Sequence, residues 1–203
     1  MTIDMRGAFE RYENLKPASK AKIEVYAKRC YLDFMNPEVA KNWEANRGNK
    51  DWERAITRPW YDLVHSCSIP TGLITQGAYD MKLRKGIPTK DHCFRPQFVY
   101  RFMLDNREQF ENYETFRAWF VMCCSTILVT GKENDNLSLG GTNNRGDSYE
   151  IVASTDQQYK FSDLDLFAYS GETRWNKKTL TPTDNLIEAP QELLDYEKRF
   201  IKA

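Results

Sequence analysis

Aromatic and aliphatic side chains recur every three to four positions along two stretches of this chain, a spacing that points to helix in both. The first stretch fills the N-terminal 67 residues. Pro17-Ala18-Ser19-Lys20 opens a segment that runs to about Phe34, with Ile23, Tyr26, Ala27, Cys30 and Phe34 on one stripe. Asn36-Pro37 stops it and starts a short helix that ends near Gly48. Residues 51–67 then carry Trp52, Ile56, Trp60 and Val64 four apart, with Pro59 expected to kink this helix or delay its start. The second stretch begins at Pro96. Phe94, Phe98 and Phe102 repeat every four residues, and Tyr113 to Ile127 is the clearest amphipathic segment, expected to finish as a strand through Ile127-Leu128-Val129.

Between and after these stretches the texture changes. Residues 68–77 are turn-rich. Ala78 to Leu83 reads as a short strand, Lys85-Gly86-Ile87-Pro88 as a turn, and a second strand ending near His92 completes a small hairpin. Residues 131–148 form a polar stretch rich in glycine and asparagine, Tyr149 to Ala153 a strand, and residues 161–180 a strand pair around Ser170-Gly171. Pro190 opens a terminal helix with Leu193, Leu194, Phe200 and Ile201 as its docking face. The expected class is α+β with helix dominant: a small hairpin among amphipathic helices, short C-terminal strands and a terminal helix. Residues 1–67 would be a helical segment and 68–203 an α+β body, together one domain.

Composition narrows the function classes. A hydrophobic fraction of 41% over 203 residues argues for a buried core rather than disorder. No apolar run approaches the roughly 18 residues of a membrane span, so no membrane partner is expected. The 29 basic and 29 acidic residues cancel, which excludes a globally basic nucleic-acid coat. The N-terminal residues show no secretory signal, and Cys30, Cys67, Cys93, Cys123 and Cys124 have no metal or disulfide spacing. They read as core residues of a protein kept in a reducing cytoplasm. Arg145-Gly146-Asp147-Ser148 and the sequon at Asn136 are read as chance. No phosphate-binding glycine loop or nucleophile elbow occurs, and the tryptophans fall mostly at core spacing.

One constellation could carry chemistry. Of two histidines, His65 lies in an apolar helical run and reads as structural. His92 follows Asp91 directly after the expected hairpin. Around it stand Lys82, Arg84, Lys85, Lys90, Arg95 and Arg101, against the single acid Asp91 between residues 82 and 101. Such clusters contact phosphates without showing in the overall pI.

The Asp91-His92 pair, with Pro96 close behind and Glu133-Asn134-Asp135-Asn136-Leu137 and Asn143-Asn144 downstream, resembles the HNH, or ββα-metal, nucleases. The resemblance implies a metal-dependent DNA endonuclease of the kind carried by phages and mobile elements. It makes His92 the general base and Asn134 the residue that orients it. Asp91 and Asn143 become ligands of Mg²⁺ or Mn²⁺, and Lys82, Arg84, Lys85, Lys90 and Arg95 contact DNA. The helices between His92 and Asn134 are then an insertion. A second nuclease geometry, Asp62 with the acid-x-lysine Asp80-Met81-Lys82 on a strand, ranks below it. The alternative class is a non-enzymatic module that binds nucleic acid or a protein partner.

Overall fold

The structure, a computed structural model, describes residues 6–137, 141–142, 148–149, 158–159, 162–183 and 189–199. It is a helix-dominant α+β protein with a five-stranded mixed sheet. Its chain divides into two units. The helical unit gathers Met1–Ile69 with Phe94–Ser125, and the sheet unit gathers Pro70–Cys93 with Thr126–Ala203. Residues 94–125, read from sequence as part of the second body, thus group with the N-terminal helices. The reason lies in their apolar faces.

The helical unit contains α1 (Arg6–Glu13), α2 (Pro17–Phe34), α3 (Pro37–Ala45), α4 (Lys50–His65), α6 (Pro96–Asp105) and α7 (Tyr113–Cys123). Asparagine side chains cap three of these. Asn36 accepts from the Glu38 amide, Asn49 from Asp51 and Trp52, and Asn112 from Glu114 and Thr115. Pro59 lies within α4, which continues to His65. The stripes predicted from periodicity meet in an aromatic core. Trp60 stacks on Tyr100 with ring centroids 4.8 Å apart, and takes Phe116 and Phe120 edge-on at 5.5 and 5.2 Å. All five cysteines are buried free thiols, as the core reading expected. Burial pushes the Cys30 thiol up to about 12.

The sheet unit holds β1 (Ile69–Thr75), α5 (Gln76–Leu83), β2 (Thr89–His92), β3 (Ser125–Val129), α8 (Gly131–Asn136), β4 (Gly141–Thr142), β5 (Ser148–Tyr149), β6 (Leu166–Gly171), β7 (Lys178–Pro182) and a terminal helix, Gln191–Glu197. The main sheet has the order β2-β3-β1-β6-β7, and β4 pairs with β5 apart from it. Two expectations are corrected here. Residues 69–75 are a strand, paired with β6, and Pro70 stands at its start, where a missing N–H is tolerated. Gly72 supplies a φ of +82° that lets the turn-like composition persist inside a strand. Ala78–Leu83 is helix rather than the first strand of a hairpin, because the Thr75 hydroxyl caps the Ala78 amide. β2 pairs instead with β3, Thr89 opposite Val129 and His92 opposite Thr126. The strand pair about Ser170-Gly171 is present as antiparallel β6 and β7.

Candidate nucleic-acid interface

The predicted residues lie on several elements of the fold. Asp91 and His92 lie on β2, at one edge of the sheet. His92 is 4% exposed. The Asp91 carboxylate accepts a hydrogen bond from the Tyr159 hydroxyl, and Gln158 next to that tyrosine donates from Nε2 to the Cys93 carbonyl at 3.1 Å. α8 packs against β2. It begins at the Thr89 end, where a side chain added at Gly131 would meet Thr89 Oγ1 at 3.9 Å. His92 is three residues further along, about 10 Å at the strand rise. Asn134 sits on α8, and its backbone closes the helix through bonds to Thr130 and from Leu137. The neighbouring Glu133 is structural. Its carboxylate accepts from the Thr130 amide and the Thr75 hydroxyl, both at 2.7 Å, completing a capping box. Asn143 falls outside the described residues.

Among the described residues, no group of three or more His, Cys, Asp or Glu could hold a metal ion. Asp62 and Asp80 belong to different units. Asp62 pairs with Arg58 at 2.8 Å within α4, and Asp80 lies on helix α5, accepting from Gln76 at 2.9 Å. The strand-borne acid-x-lysine is therefore corrected to a helical one.

The basic cluster divides as well. Arg95 and Arg101 join the helical unit, where Arg101 pairs with the buried Glu53 at 2.7 Å. Lys90 is exposed on β2, at the opposite edge of the sheet from β7. Lys82, Arg84 and Lys85 stay together at the end of α5. That end is built tightly. The Gly86 amide bonds the Met81 carbonyl at 2.8 Å and the Lys85 amide bonds that of Lys82 at 3.0 Å, a Schellman closure. Lys85 occupies the left-handed position with φ +64°, where glycine would be free of strain.

Sequence reasoning missed what stands beside this helix end. The turn between β6 and β7 contacts α5 and carries Arg174-Trp175-Asn176-Lys177-Lys178. The Trp175 ring has the Lys82 ammonium 5.5 Å from its centroid and the Lys178 ammonium 5.4 Å from it. Tyr169 lies 5.1 Å from Trp175, and Lys178 also reaches the Tyr169 ring at 5.2 Å. The Tyr79 hydroxyl donates to the Trp175 carbonyl at 3.3 Å, tying the turn to α5. Arg84, Lys85, Arg174 and Lys177 are exposed on the same two segments, and Lys177 pairs with Glu172 at 3.1 Å. The available signal was a tryptophan set among cations in a turn, off every helical stripe. Burial raises the pKa of the Tyr169 hydroxyl above its ordinary value of 10.

Protein-family models, curated proteins and solved structures gave no match to this chain. Among the described residues no helix is long and apolar enough to cross a membrane.

Proposed function

We propose that this protein is a nucleic-acid-binding module that works in the cytoplasm, with the face formed by α5 and the β6–β7 turn as its contact surface. The observation that carries this reading is the meeting of two ammonium groups, Lys82 from α5 and Lys178 from β7, over the Trp175 ring, with exposed Arg84, Lys85 and Arg174 on the same two segments. Long cationic side chains gathered on one face neutralise phosphates and release counterions, and a protein of zero formal net charge can bind this way through a local patch. The test is fluorescence anisotropy with labelled 20-mer DNA, single-stranded and duplex, at low salt. Binding that weakens at least tenfold in Arg84→Gln/Arg174→Gln supports the reading. Unchanged binding in that variant, or none in the parent, rejects it.

A second reading keeps the HNH resemblance, a metal-dependent DNA endonuclease. It is supported by the packing of α8, which bears Asn134, against the strand that bears Asp91 and His92. Asp91 and Asn143 would hold Mg²⁺ or Mn²⁺, which supplies Lewis-acid chemistry at a phosphodiester. His92 would act as base. The described residues fit that role poorly, since Asp91 is engaged by Tyr159 and His92 is buried. Metal-dependent nicking of plasmid that disappears in His92→Ala would establish it, and the binding-module reading predicts no nicking.

A further inference from the structure

Duplex phosphates ask only for cations, yet this face has two partly exposed aromatic rings at its centre. Trp175 and Tyr169 stand 5.1 Å apart at an interplanar angle of 54°, so they present two faces rather than one flat stack. Lys178 reaches both rings, and Lys82 reaches Trp175. The rings are held in place. Tyr79 meets Trp175 edge-on at 6.3 Å and donates its hydroxyl to the Trp175 carbonyl. Gly171, at φ +95°, makes the tight turn that brings Trp175 back over β6; a side chain there would come within 3.2 Å of the Lys177 carbonyl oxygen. Aromatic faces set among cations are what an unpaired base and its phosphate require, because every base has a π-face and the backbone follows the charge. A paired base offers no face to such a platform.

Resting on the binding reading above, we propose that the ligand is single-stranded nucleic acid, with bases stacking on Trp175 and Tyr169 while the surrounding lysines and arginines hold the phosphates. Two features separate this from simple phosphate attraction. Stacking contributes affinity that salt does not screen, so removing a ring lowers affinity without changing the salt slope. Removing a cation changes both.

The experiment measures binding of labelled dT20 and of a 20-base-pair duplex to the full chain and to Trp175→Leu, which keeps apolar volume under Tyr79. Tyr169→Leu is the second variant, and far-UV circular dichroism checks folding. The expected result is tighter binding of dT20 than of the duplex. In each variant dT20 affinity should fall about tenfold or more, with the slope of log K against log salt unchanged. Duplex binding equal to or tighter than dT20, or a folded variant with unaltered dT20 affinity, overturns the stacking proposal and leaves the phosphate reading standing. Absence of salt-sensitive binding to either strand form overturns both.

Discussion

The partly buried charges of the helical unit and the cations at the end of α5 in the sheet unit are held differently. In the helical unit, the partly buried charges close on one another. Arg117 donates to both oxygens of Glu24 at 2.8 and 2.9 Å, and the Tyr12 hydroxyl donates to the same carboxylate. Arg101 meets buried Glu53, whose other oxygen takes the Gly48 amide at 2.9 Å. Asp105 accepts from both Trp43 Nε1 and Arg47. In the sheet unit, Arg84 and Lys85 end α5 in solvent, and Lys82 and Lys178 turn their ammonium groups to aromatic faces, with no carboxylate partner among the described residues. Charges that satisfy one another fix a fold, whereas charges held without an acid are available to an anionic partner. Counting charges along the sequence cannot tell the two apart, because Arg101 and Lys82 belong to the same run of residues and fold into different units.

The largest expected effect breaks the aromatic core. Trp60→Ala removes a ring that is 1% exposed and stacked on Tyr100, and should destabilise the helical unit by about 3–5 kcal/mol in urea unfolding. Truncating Ile87, which is 90% exposed in the sheet unit, should stay within about 0.5 kcal/mol. Equal losses at the two positions would erase the contrast.

Next in size is Arg117→Met, which leaves Glu24 and Tyr12 without their cation. A loss of about 2 kcal/mol is expected, below the value for a fully buried pair because Glu24 is partly exposed to solvent. The loss should depend on pH. The Arg117 hydrogen bonds hold the Glu24 carboxyl below its ordinary value of 4.5. Its contribution is therefore complete above about pH 4.5 and fades as pH falls through the lower folded value. Stability curves of parent and variant should converge toward acid. Parallel curves between pH 7 and pH 3 would show that Arg117 acts through packing alone.

Much of the helical unit was legible in the sequence. A repeat of three to four residues locates α2, α4, α6 and α7, since an aromatic stripe with that period can be buried only as helix. The β6–β7 pair was legible through Ser170-Gly171, where a positive φ is required. α5 was not. Its eight residues show little amphipathic contrast, and the deciding signals were its ends: Thr75 as cap and the Schellman closure at Gly86. The cationic face was illegible for a different reason. Lys82 and Lys178 meet over Trp175 only after the sheet brings distant segments together, so no local window contains the site. The Asp91-His92 pair was conspicuous in sequence, yet strand pairing buries His92 and Tyr159 engages Asp91.

A smaller stability effect than that of Arg117→Met sharpens the comparison because its sign is reversed. Lys85→Gly relieves a left-handed backbone and should stabilise the protein by about 0.5–1 kcal/mol. Strain kept at an exposed lysine is what a functional cation predicts. The same variant should therefore bind nucleic acid more weakly while melting higher. A higher melting point with undiminished binding would remove Lys85 from the interface.

The most direct test compares salt slopes for dT20 binding in two triple variants. One is Arg84→Gln/Lys85→Gln/Arg174→Gln in the sheet unit. The other is Lys41→Gln/Lys50→Gln/Arg54→Gln, three exposed cations of the helical unit. At about 0.7 per neutralised phosphate on a single strand, the first triple should flatten the slope of log K against log salt by about 2, and the second should leave it unchanged. A slope lost through the helical-unit triple and kept in the sheet-unit triple would contradict the assignment of the binding face.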